Sequence, residues 1–193
     1  MEDRRIKKTK KNLKNTFIEM LEDMSFEKIT VTDICKRSDI SRITFYTHYS
    51  DKYALVDDIF KDMVTIGTEK YHARQEKNNP EYNAVKSYNN ILLSILDLFY
   101  ERPEFFKYTS PKTNPYLALT FYNTVLKAIE LHTIKEGKMH NLKYTPKQIT
   151  GFLCYGLGGF ISQSHEENIP TDEIRRQTSR LLTAMLSSDF LVE

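Results

Sequence analysis

The side chains best equipped for chemistry in this chain are gathered between Thr30 and Tyr49, TVTDICKRSDISRITFYTHY. Within that stretch stand hydroxyls, a guanidinium, an imidazole and phenols, and their spacing reads as two short helices on a tight turn. Thr30-x-x-Asp33 has the form of a capping box opening a helix whose inner face is Val31, Ile34 and Cys35. Ser38-Asp39 supplies the break, because Asp tolerates the left-handed conformation better than most residues with a side chain. Ile40 anchors the turn, and Ser41 caps a second helix. At about 100° per residue, Phe45 and Tyr49 share one face of that helix while Ile43, Thr44 and Thr47 lie opposite, flanked by Tyr46 and His48. Arg42 falls in the first turn. Such an outer face suits base edges and phosphates, with Ile43 placed to meet a thymine methyl. A merely solvated face would more often carry Glu and Lys.

Other chemistries find little support. His72, His132, His140 and His165 are scattered, and no carboxylate pair or nucleophile-base arrangement stands out. Cys35 and Cys154 lie far apart without metal-ligand or redox spacing, so both read as small buried hydrophobes and neither a disulfide nor a zinc site is expected. CYGLGGFI (154–161) lacks the third glycine of a dinucleotide loop and any preceding strand. No enzyme activity and no cofactor are expected.

The elements that must position the quoted stretch are all helical. No period-two alternation appears, and the six glycines and six prolines mostly punctuate helix ends, so the fold class is all-α. Leu13, Phe17, Met20, Leu21 and Met24 mark a first helix over 3–23. A long helix follows Ser50-Asp51-Lys52, and the polar run 74–80 (RQEKNNP) reads as a linker. Further helices are expected over 84–101, 115–135, 146–166 and 171–188, with a short piece near 103–108. The division is a helix-turn-helix domain at 1–50 and a larger helical domain at 51–193. Residues 1–52 hold 12 Lys/Arg against 9 Asp/Glu, whereas the remaining 141 hold 16 against 17. The net charge of +2 therefore hides a basic N-terminal arm on a nearly neutral body. With no apolar run of about 20 residues and no signal-peptide pattern, no membrane contact and a cytoplasmic location are expected.

The run TVTDICKRSDISRITFYTHYSDKYAL resembles the N-terminal DNA-binding domain of the TetR family of bacterial transcriptional regulators. The matching elements are the basic first helix, Thr30 and Thr32, Ile34, Ser41, Thr44-Phe45-Tyr46, His48-Tyr49, and Asp51-Lys52 before Leu55. Ser38-Asp39 replaces the usual Ala-Gly, and Ile43 stands where a small residue is common. The resemblance implies DNA contacts from Thr30, Thr32, Arg42, Ile43, Thr44, Tyr46, Thr47, His48 and Lys52, with Tyr46 and Lys52 as phosphate clamps. It also implies a palindromic duplex operator, a homodimer closed by the last two helices, and a small effector bound in the larger domain, as in a ligand-responsive repressor.

In that larger domain the residues alone leave alternatives open. The aromatics of 82–122, among them Phe99, Phe106, Phe121 and Tyr122, suit either a pocket for an apolar or aromatic effector or plain core. Gly156, Gly158 and Phe160, with the stripe containing Leu181 and Met185, suit either close approach of a second copy or closure of the chain's own core. A co-regulator that docks a protein instead of a small effector, and a helical enzyme or carrier, are the competing functions.

Overall fold

The computed structural model describes residues 4–102, 114–137 and 143–188. Eight helices stand among the described residues: α1 (Arg4–Asp23), α2 (Val31–Ser38), α3 (Arg42–His48), α4 (Lys52–Asn78), α5 (Ala84–Glu101), α6 (Pro115–Gly137), α7 (Pro146–Glu166) and α8 (Thr171–Ser187). The expected short piece near 103–108 lies outside the described residues. No described helix is long and apolar enough to cross a membrane.

The chain forms two compact units, residues 1–63 with 102–122, and residues 64–101 with 123–193. The boundary between these units falls inside α4, whose first twelve residues bury Leu55, Val56, Ile59, Phe60 and Met63 in the first unit. In this unit α1 buries Leu13, Thr16, Phe17, Met20 and Leu21, the three- and four-residue steps of a helix with one apolar stripe. Phe26, Ile29, Ile34 and Phe45 complete its centre. Phe121, at the end of the α6 segment belonging to this unit, packs on Phe60 with ring centroids 5.4 Å apart.

The second unit centres on Tyr88, Leu92 and Leu96 of α5, Ile149, Leu153 and Leu157 of α7, and Leu182 of α8. Thr145 and Gln148 form a capping box at the start of α7, with Pro146 just inside it. The run 74–80 is not a linker. Gln75 and Asn79 are buried with Ser87 and Asn90, and the Gln75 amide donates to Ser87 Oγ at 2.9 Å while Asn79 donates to the same oxygen at 3.0 Å. Asn78 and Asn90 exchange amide hydrogen bonds of 2.8 and 3.1 Å. Two residues of the polar run, Gln75 and Asn79, therefore belong to a satisfied internal network, while Glu76, Lys77, Asn78 and Pro80 stay exposed. Its edge is Asp97, which accepts from Arg74 at 2.5 Å and from Arg175 at 2.7 Å.

Candidate nucleic-acid interface

Both short helices are built as their cap residues require. Thr30 Oγ1 accepts the Asp33 amide at 3.2 Å and Asp33 accepts the Thr30 amide at 3.1 Å, closing the capping box. The hydrogen bonds from Thr30 hold the Asp33 carboxyl below the usual carboxylate range. Asp39 adopts φ 55°, ψ 41°, and the Ile40 amide returns to the Cys35 carbonyl at 3.0 Å. This is the left-handed stop that ordinarily takes glycine. Ser41 Oγ accepts the Thr44 amide at 3.1 Å and starts α3.

Phe45 is fully buried beneath α3, and the opposite face is open. Ile43 is 81% exposed and Tyr46 49% exposed, an unusual surface for an aliphatic and an aromatic side chain on one short helix. Arg42 is exposed, with its guanidinium 6.0 Å from the centre of the Tyr46 ring. Thr47 donates its hydroxyl hydrogen to the Thr44 carbonyl at 2.7 Å, so it faces outward as an acceptor. Thr44 and His48 are half-buried at the edges of this face. Thr30 and Thr32, at the start of α2, are exposed. Thus Arg42, Ile43, Thr44, Tyr46, Thr47 and His48 share one short helix, and the threonines flank it.

Lys52 is placed otherwise. Its ammonium donates to the carbonyls of Phe26, Glu27 and Ile29 at 2.8, 3.2 and 2.9 Å and lies 4.4 Å from the centre of the Phe26 ring. Partial burial holds it below the usual lysine range. In this geometry Lys52 clamps the α1–α2 turn. Contact with a phosphate would require it to leave three carbonyl oxygens.

Two anchors that the periodicity left unread fix α3 from behind. The Tyr49 hydroxyl donates to Asp58 of α4 at 2.7 Å, and Lys14 of α1 bridges Asp58 and Asp62 at 2.9 and 2.7 Å. Burial opposes the Asp58 charge, but Lys14 and Tyr49 outweigh it and lower the carboxyl. Burial likewise opposes the Lys14 charge, and the two aspartates outweigh it and raise the ammonium. Asn12 adds a hydrogen bond of 2.9 Å to the Ser38 carbonyl at the end of α2.

No family model matches the chain. It is 37% identical over 60 residues to an uncharacterised HTH-type transcriptional regulator, YxbF, of Bacillus subtilis (strain 168); this covers 31% of the chain and only 16% of that relative's length. A putative TetR-family transcriptional regulator from Syntrophomonas wolfei superposes with a TM-score of 0.69 at 13% identity, covering 93% of this chain and 95% of that one. The fold is that of TetR-family regulators. A second structure of this kind, from Marinobacter aquaeolei VT8, gives a TM-score of 0.63 at 16% identity and covers 98% of both chains. The likeness in fold thus spans 93–98% of the chain, whereas the sequence likeness to the curated relative spans 31% of it.

The remaining expected sites fall in different places on this fold. Phe99 belongs to the second unit, stacked on His165 with centroids 5.4 Å apart, and Tyr100 lies 5.8 Å from the same imidazole. Phe121 and Tyr122 belong to the first unit, and Phe106 lies outside the described residues. Gly156 and Gly158 are exposed on α7, and a Cβ on either would meet nothing within 4 Å. Leu181 is exposed on α8, while Phe160 and Met185 are half-buried, Met185 against the core. Beside the glycines, the rings of Phe152 and Tyr155 are 50% and 63% exposed. Cys35 is buried as expected, whereas Cys154 is only half-buried, its thiol pushed by burial up to about 12. Among the described residues no three His, Cys, Asp or Glu side chains gather as a metal site would need.

Proposed function

We propose that this protein is a homodimeric, sequence-specific, DNA-binding transcriptional regulator that acts as a ligand-responsive repressor. The observation that carries the reading is α3, a capped helix that buries Phe45 and turns Arg42, Ile43, Tyr46 and Thr47 to solvent. In this reading Arg42 and the Thr47 oxygen take base edges, Ile43 meets a thymine methyl, and Tyr46 contacts phosphate, with Thr30, Thr32, Thr44 and His48 at the margin. Lys52 serves by holding the turn that leads into Thr30. The basic arm, with Arg4, Arg5, Lys7, Lys8, Lys10 and Lys11, supplies counterion release.

One short helix reads few bases, and a two-fold pair reads a palindrome with half-sites about 34–36 Å apart. The exposed surface of α7 and α8, with Phe152, Tyr155, Gly156, Gly158 and Leu181, supports self-association. Response to an apolar or aromatic effector is assigned to the second unit around Phe99, and a thermal-shift screen of small molecules with Phe99→Ala as control tests it.

For the DNA-binding core of the proposal, Arg42→Ala and Tyr46→Phe are compared on a selected and a random duplex at fixed salt. Arg42→Ala is expected to lose about 1–3 kcal/mol of discrimination, and Tyr46→Phe to weaken both duplexes alike. Equal losses for both variants on both duplexes would contradict the roles assigned.

A further inference from the structure

The turn joining α1 to α2 is held from outside the helix-turn-helix. Phe26, at its centre, is buried, and its backbone N–H is donated at 2.8 Å to the side-chain oxygen of Asn114, a residue 88 positions away and itself buried. Asn114 stands just before Pro115, the first residue of α6. From there its side chain reaches the turn before α2. One helical step on, the Tyr116 ring stacks on the Phe26 ring with centroids 5.0 Å apart and planes 5° from parallel. Tyr53 of α4 sets its edge against both rings at 5.4 Å. Lys52 ties the turn's carbonyls, the ring is shared by Lys52, Tyr53 and Tyr116, and the amide is held by Asn114.

The turn leads directly into Thr30, the cap of α2, and α2 carries α3 through the left-handed stop at Asp39. A shift of Phe26 is therefore passed to Thr30 and Thr32 and onward to the recognition helix. A buried amide without its acceptor would drive such a shift, because the unmade hydrogen bond is costly. The helix that supplies the acceptor begins in the first unit and continues, from Asn123, in the second.

We propose that Asn114 and Tyr116 are positioning residues for DNA recognition: they set the α1–α2 turn from the start of α6, so that the placement of the DNA-facing side chains depends on that helix. The proposal rests on the DNA-binding reading above and adds to it a physical route by which a change along α6 reaches the recognition surface. Neither residue touches DNA in this scheme.

The test compares Asn114→Leu, which keeps the volume and removes the acceptor, with Asn114→Asp, which keeps an acceptor. Affinity for a duplex selected with the wild-type protein is measured well below the melting temperature, alongside amide hydrogen exchange at Phe26. Asn114→Leu is expected to bind about 5- to 50-fold more weakly and to exchange the Phe26 amide faster, whereas Asn114→Asp stays within about twofold of wild type on both. Should Asn114→Leu fail to fold, Tyr116→Ala, at a partly exposed position, carries the test and is expected to weaken binding at least about threefold. A folded Asn114→Leu or Tyr116→Ala that binds the selected duplex as wild type does would overturn the proposal. So would an Asn114→Asp variant as impaired as Asn114→Leu, or a lowered melting temperature with DNA affinity unmoved. A wild-type protein that binds no duplex would instead overturn the reading on which the proposal rests.

Discussion

Tyr49 caps the C-terminus of α3, and its hydroxyl reaches Asp58 at 2.7 Å while Lys14 holds the same carboxylate at 2.9 Å. Tyr49→Phe removes one charge-assisted hydrogen bond and leaves the carboxylate its lysine, so no charge is stranded. Hydrogen bonds to charged groups contribute about 1.5–3 kcal/mol. Asp58 keeps part of its side chain in water, which moves the expectation to the low end, about 1–2 kcal/mol. For a chain of this length that corresponds to a fall in melting temperature of about 2–8 °C. The assay is a double-mutant cycle of Tyr49→Phe and Asp58→Asn, with urea unfolding followed by circular dichroism because the chain has no tryptophan. Each single variant is expected to destabilise, and the double variant to cost about 1–2 kcal/mol less than their sum. Additivity within about 0.5 kcal/mol would show that the two groups do not act together and would refute the anchoring of α3 described here.

Three further outcomes are expected. The folded Asp58 and Asp97 carboxyls lie below their ordinary value. The stability they contribute is therefore complete above about pH 4 and lost as pH falls through the folded values, so Asp58→Asn should flatten acid unfolding below about pH 4. Gly158→Leu should leave the isolated chain no less stable, since an exposed helical glycine costs about 0.5–1 kcal/mol and a Cβ there meets nothing within 4 Å. The same variant should weaken self-association in sedimentation, and an unchanged dimer would remove α7 from the interface. Deleting residues 1–11 should lower the slope of log affinity against log salt, and an unchanged slope would show that the arm does not touch phosphate.

The first helix was legible because Leu13, Phe17, Met20 and Leu21 recur at the steps that bury one face. The helix-turn-helix was legible from its caps, Thr30 and Ser41, and from the aspartate at the turn. What periodicity does not carry is pairing between distant polar groups. Nothing in the sequence around Asn114 names Phe26 as its partner. The resemblance makes Lys52 a phosphate clamp, and nothing in its surroundings names the three carbonyls of a turn more than twenty residues earlier that it also holds. Gln75 and Asn79 misled because buried, satisfied amides and solvated ones have the same composition. The exposure of Phe152 and Tyr155 was likewise hidden, since an apolar residue on a helix reads as core until its neighbours are placed.

The most direct measurement of the central claim is selection of duplexes from a random pool by the wild-type protein, followed by their affinities relative to a scrambled duplex at fixed salt. The expected result is enrichment of a palindrome with half-sites about one helical turn apart, bound at least about 10³-fold more tightly than the scrambled sequence. Enrichment of no common sequence, with selected and scrambled duplexes bound equally, would contradict the assignment of α3 as a recognition helix.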